Sequence, residues 1–343
     1  MKSLHLIGLA VAALSCASFA GAQEAADAGA KLRAYVQLPQ QKPQELILNR
    51  SDGNDKFYFT QKGTDQELEV PVSSCKALFY IQTPAELANA LNTYRESDLA
   101  AARKQFAAVK AKYANFGGLP GSPVTIAAVN EISCAVRMQD WDAVTKLTAN
   151  PPANMTPADA ARVETAKLMA QIITGNSKLD DSKKAIAELL KDKKLGKSIN
   201  TELYGWLRYA LARAYAANLP TDGSAIPADQ LKDAEAAIDN YCQCVVSTHG
   251  AADELPTDAM VRAMNLLWGM PDVADYTKKA DKPCTKAQWA SAPANFRDAV
   301  AMANLLKTIY APDLQNELVE KLVPYFYNTA KDKEKKADAK ATK

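Results

Sequence analysis

Histidine is nearly absent from this chain, with two among 343 residues. His5 falls in an apparent leader, which leaves His249 alone. One imidazole cannot build a multi-histidine metal site, and any histidine-based nucleophilic triad would have to use that same residue. Beside Gly250 at a helix end, His249 reads as a C-terminal cap. Other chemical signatures are missing too: no serine nucleophile elbow, no phosphate-cradling glycine loop, no dinucleotide fingerprint. The run Gly117-Gly118-Leu119-Pro120-Gly121 joins two helical stretches and is taken as a linker turn. No enzymatic activity, cofactor or metal is expected.

Net charge is small as well. The formal value is +2, and Lys2 leaves with the leader. Residues 331–343 carry six lysines against three acids, so the remaining body lies near −2. A near-neutral body argues against nucleic acid as the main partner, since that needs a basic face. The Lys-rich tail 331–343 is expected to be solvated and disordered.

Long apolar runs are scarce. Residues 6–14 are apolar, follow Lys2 and precede the small-residue site Ala20-Gly21-Ala22, the pattern of a cleaved export signal over 1–22. That run is too short to span a bilayer, and no later stretch reaches 18 consecutive apolar residues. A lipid anchor on Cys16 is the alternative, weakened because Leu14 sits one place late for a lipobox. The mature chain is expected to be periplasmic or secreted. Five cysteines then remain, Cys75, Cys134, Cys242, Cys244 and Cys284, and an odd count leaves at least one thiol without an intramolecular mate.

After a linker at 23–30, residues 31–82 carry five short runs, 31–38, 45–49, 56–60, 67–72 and 77–82, rich in β-branched, aromatic and leucine residues. The turns Ser51-Asp52-Gly53-Asn54-Asp55 and Lys62-Gly63-Thr64-Asp65 separate them. A small antiparallel β domain is expected. From Thr83-Pro84 the period becomes helical, with Thr83 as cap, Pro84 at the first helical position and Glu86 three residues on.

Across 83–330 a two-residue signature returns: Asp98-Leu99, Asp140-Trp141, Asp181-Ser182, Gln230-Leu231, Asp272-Val273 and Asp313-Leu314. The spacings are 42, 41, 49, 42 and 41, the long one holding the insert 219–227. A fixed period of this length is the mark of stacked helical hairpins. Six are expected, over 84–113, 123–150, 157–193, 200–246, 257–280 and 294–330. Each aspartate should lie at or within one turn of a second-helix start, where a short acid accepts orphan N–H groups and complements the dipole.

Leu211-Ala212-Arg213-Ala214-Tyr215 resembles the first-helix element of tetratricopeptide-type repeats, and Ser97-Asp98-Leu99 with Ala102 and Phe106 resembles the second. Gln230-Leu231, Ala234, Ile238 and Tyr241 give another copy, and Asp140-Trp141, Val144 and Thr148 a degraded one. The period is longer than that family's 34 residues and glycine is largely missing from the turns. The resemblance implies a right-handed α-solenoid whose concave groove binds a protein or peptide. With the export signal and small β domain, the whole looks like a bacterial envelope protein.

On the first helix of the fourth hairpin, Trp206, Tyr209 and Arg213 share a stripe distinct from Leu203, Leu207 and Leu211. In the family the corresponding stripe lines the groove, and aromatic-plus-Arg is hot-spot composition. The competing reading packs Trp206 and Tyr209 against neighbouring hairpins. Cys242 and Cys244 should face nearly opposite sides of a helix, so one of them could bridge to Cys284, with Cys75–Cys134 a second pair. Two other functions stay open: a glycan-processing or glycan-binding role for the groove, and a structural component that assembles through unpaired strands.

Overall fold

The structure, a computed structural model, describes residues 30–53, 55–61, 64, 66–75, 78–175, 178–191, 201–248 and 254–327. The leader, His249 and the tail at 331–343 lie outside them. The described chain is mostly helical, with thirteen helices and one five-stranded antiparallel sheet toward the N-terminal side. It divides into two compact units, residues 1–134 with 150–156, and 135–149 with 157–343.

In the first unit the strands are β1 Leu32–Val36, β2 Gln44–Ser51, β3 Lys56–Thr60, β4 Glu67–Pro71 and β5 Phe79–Ile81. All five expected runs became strands, in the order β4-β3-β2-β1-β5. Alternation decides the two faces. Leu32, Ala34 and Val36 point inward while Arg33 and Tyr35 point out, and Phe57 and Phe59 are buried on β3. The β2–β3 register shifts between Leu48 and Arg50. That bulge places Arg50 on the outer face, stacked over the Tyr58 ring at 3.6 Å and paired with Glu67 at 2.8 Å.

The inner face of the sheet shares a core with α1 (Ala85–Arg95) and α2 (Leu99–Lys112) through Leu87, Ala90, Ala102, Phe106 and Val109. The start signal before α1 works differently from expectation. Pro84 is the cap residue and Thr83 makes no cap, while Glu86 reaches Lys112 and the Tyr113 hydroxyl. An ion pair to the next helix displaced the local capping box.

The turn from α1 to α2 explains how this chain manages with little glycine. Ser97 takes φ 64°, Asp98 N–H bonds Thr93 O at 3.2 Å, and Ser97 N–H bonds Tyr94 O at 3.1 Å, a Schellman closure. Asp98 then caps α2, accepting from Ala101 N–H at 3.1 Å. Between α3 (Pro123–Arg137) and α4 (Trp141–Thr148) the same device recurs. Gln139 has φ 55°, Asp140 N–H bonds Ala135 O at 2.9 Å, and Asp140 caps by accepting from Ala143 N–H at 3.1 Å.

The second unit continues with α5 Pro157–Ile173, α6 Leu179–Lys191, α7 Thr201–Ala216, α8 Leu231–Ser247, α9 Glu254–Trp268, α10 Pro271–Thr277, α11 Lys286–Ser291, α12 Ala294–Leu305 and α13 Glu317–Leu322. Here α7 packs on α5, α6 and α8; α9 packs on α8 and α12. Asp181 and Asp272 fall in the first turns of α6 and α10. Asp313 does not fit: Asn316 is the cap before α13, accepting from Leu318 and Val319 N–H at 3.0 and 3.1 Å. The short helix α11, capped by the Thr285/Gln288 box, lies between the expected hairpins 257–280 and 294–330. The long insert is fixed by Ile226 N–H on Gly269 O at 2.9 Å, where a side chain on Gly269 would strike the Ser224 carbonyl.

Candidate functional site

Helix α7 has neighbours on several sides, which favours the second reading of its stripe, Trp206 and Tyr209 packed against neighbouring helices. Trp206 is 1% exposed and Tyr209 0%, so neither offers a surface to a partner. The helix carries Gly205, Ala210, Ala212, Ala214 and Ala216, all buried, so α5, α6 and α8 approach closely and take up the sides a groove would have used. A Cβ on Gly205 would meet the Thr248 side chain. Arg213 alone of the three is half-buried.

The stripe instead organises a polar network. The Tyr209 hydroxyl donates to Asp258 Oδ2, Arg262 Nε donates to the same oxygen at 2.6 Å, and Arg213 Nη1 donates to the Tyr209 oxygen at 3.2 Å. Tyr241 meets Tyr209 edge to face at 5.9 Å. Burial, reinforced by Asp258, pushes the Tyr209 phenol far above its ordinary range and keeps it a donor. For Arg262, burial works against the charge, but its bond to Asp258 and the attraction of that carboxylate outweigh it, so its pKa is raised. A cavity of about 90 Å³ opens beside this network between α7, α8 and α9.

Cys242 and Cys244 do face different surroundings, Cys244 buried and Cys242 half-exposed. Cys75 and Cys284 are also buried thiols, and Cys284 sits by the Tyr276 hydroxyl. Neither the Cys244–Cys284 nor the Cys75–Cys134 bridge is formed. Among the described residues no three potential metal-ligating groups gather, and no helix is long and apolar enough to cross a membrane.

In the first unit, sequence reasoning missed a groove along β5. Gln37 N–H bonds Leu78 O and Gln82 N–H bonds Arg33 O, both on the β1 side. With Tyr35 opposite Tyr80 in that register, residues 78, 80 and 82 turn their backbone groups toward β1. Phe79 and Ile81 therefore direct theirs away, and no hydrogen bond among the described residues takes them up. Along this edge runs a groove of about 240 Å³, walled by Leu87, Pro120, Pro123 and Ile126. Tyr80, 56% exposed, and Tyr35, 44% exposed, stand together on the outer face beside it. The signal is a three-residue strand followed downstream by a proline-flanked turn, which in sequence alone has the look of a linker.

Comparison with protein-family models, with curated proteins and with solved structures finds no match. The tetratricopeptide resemblance therefore rests on the residues that carry it.

Proposed function

We propose that this chain is an exported, non-enzymatic scaffold that holds an extended peptide segment of another protein along β5. The carrying observation is the pair of backbone donors and acceptors at Phe79 and Ile81, unused among the described residues, beside an apolar groove. They repeat at about 6.8 Å, the two-residue period of a strand, so an extended backbone matches them and alternate side chains drop onto Leu87 and Ile126. In this reading the helical hairpins form a tetratricopeptide-like, right-handed solenoid of about six units. The recurring aspartate starts support it, as does the packing of α8 and α9 on one another and of α9 on α12. Residues 1–22 act as an export signal, placing the scaffold in a bacterial envelope.

The test is a display selection of random linear dodecapeptides on the full chain. The best binder is then synthesised with single backbone N-methyl groups, and amide exchange is followed at Phe79 and Ile81. Alternating sensitivity to N-methylation, with slowed exchange at those two amides, is the expected result. Uniform tolerance of N-methylation, or unchanged exchange at both amides, defeats the reading. The same free edge also favours assembly of the chain with itself. A mass that grows with concentration in light scattering, with Phe79 and Ile81 protected only in the larger species, would replace peptide capture by assembly.

A further inference from the structure

The cavity between α7, α8 and α9 is a separate matter from the β5 groove. Its charged wall consists of Arg213 and Arg262, with Thr221 and Tyr241 beside them and Ala216, Ala217 and Leu266 completing the described surface. No acid lines it. The one carboxylate of the neighbouring network, Asp258, is already engaged by Arg262 Nε and the Tyr209 hydroxyl. Arg262 uses Nε alone in hydrogen bonds among the described residues, and Arg213 uses only Nη1. Both guanidinium groups therefore keep donors in reserve. Tyr241 lines the cavity with its ring buried, and its hydroxyl makes no hydrogen bond among the described residues. A spare phenol donor beside two guanidinium forks is the donor set of an oxyanion site.

We propose that this cavity binds a compact oxyanion, a carboxylate, held by Arg213, Arg262 and the Tyr241 hydroxyl. Two arginines against one aspartate leave a local charge of +1, which a carboxylate neutralises and a phosphate dianion overshoots. The planar guanidinium matches a planar carboxylate with two parallel bonds. The apolar wall at Ala216 and Leu266 accepts the carbon that carries it. Burial holds the Tyr241 phenol far above its ordinary pKa, so the hydroxyl stays a donor.

The experiment titrates the full chain, labelled with ¹⁵N-arginine, with sodium acetate and separately with sodium phosphate at pH 7. Chloride holds the ionic strength constant. The Nε–H resonances of Arg213 and Arg262 are assigned from Arg213→Lys and Arg262→Lys. Acetate should move both resonances along one saturable curve, at lower concentration than phosphate. In Tyr241→Phe the half-saturating acetate concentration should rise about tenfold, with the unfolding midpoint unchanged. Shifts that never saturate, saturation by phosphate first, or a Tyr241→Phe curve that overlays the wild type would each overturn the proposal.

Discussion

Tyr209 and Tyr241 touch each other in the second unit, are both buried, and differ in one respect that a single atom can test. Tyr209→Phe removes a donor to Asp258 and an acceptor from Arg213 while leaving the ring and its packing in place. A hydrogen bond to a charged group is worth about 1.5–3 kcal/mol. Asp258 keeps its bond from Arg262, and its side chain is 22% exposed, so water can take over part of the lost role. The expected cost is therefore in the lower half of that range, about 2 kcal/mol, equivalent to a fall of roughly 4–8 °C in Tm for a unit of this size. Tyr241→Phe loses a hydroxyl with no partner among the described residues and should stay within about 0.5 kcal/mol of wild type. Urea unfolding followed by tryptophan fluorescence reads both, since Trp206 is buried on the same helix as Tyr209. Equal losses in the two variants, or a larger loss in Tyr241→Phe, would refute the assignment of partners.

Asp98→Ala and Asp140→Ala should each cost about 1 kcal/mol in urea unfolding, whereas Asp313→Ala should change little because Asn316 holds that helix start. The Cys242 thiol is pushed up to about 11, chiefly by burial and further by Asp239 and Asp298. Because the thiolate is the reactive form, its iodoacetamide labelling rate, read by mass spectrometry, should keep climbing about tenfold per pH unit from 8 to 10. A plateau near pH 9 would place the pKa at the ordinary value. The chain recovered from an exporting bacterial host should begin at Gln23 by intact mass, and a retained leader would defeat the export assignment.

Features governed by neighbours in sequence were legible before any coordinates. The β runs announced themselves by alternation. Asp98 and Asp140 announced themselves because a cap is made between a side chain and an N–H three residues away. Failures occurred where a distant element outbid the local partner. Glu86 had the spacing of a capping box but found Lys112 and Tyr113 at the end of α2. Asp313 had the period but lost its place to Asn316, whose carbonyl oxygen reaches two N–H groups. The stripe on α7 admits two readings in sequence for a related reason. Periodicity separates a core face from a second face, yet it cannot say whether that second face meets water or another helix. The small residues at 205, 210, 212, 214 and 216 carried the answer, because a helix that is small on several sides is built for close approach.

The two ligand sites proposed here are hidden from sequence for a deeper reason. Each is defined by a remainder: backbone groups at Phe79 and Ile81 that the sheet leaves unused, and donors on Arg213, Arg262 and Tyr241 that Asp258 leaves unused. A remainder is the difference between what side chains and backbone offer and what packing consumes, and consumption is fixed only when the chain is folded. Arg213, Tyr241 and Arg262 lie on three different helices, so no window of sequence holds their sum. The remainders also differ in kind. An edge of alternating donors and acceptors matches another backbone, whereas a surplus of cationic donors matches an anion. Both are terms of recognition, and the proposed scaffold would draw on each.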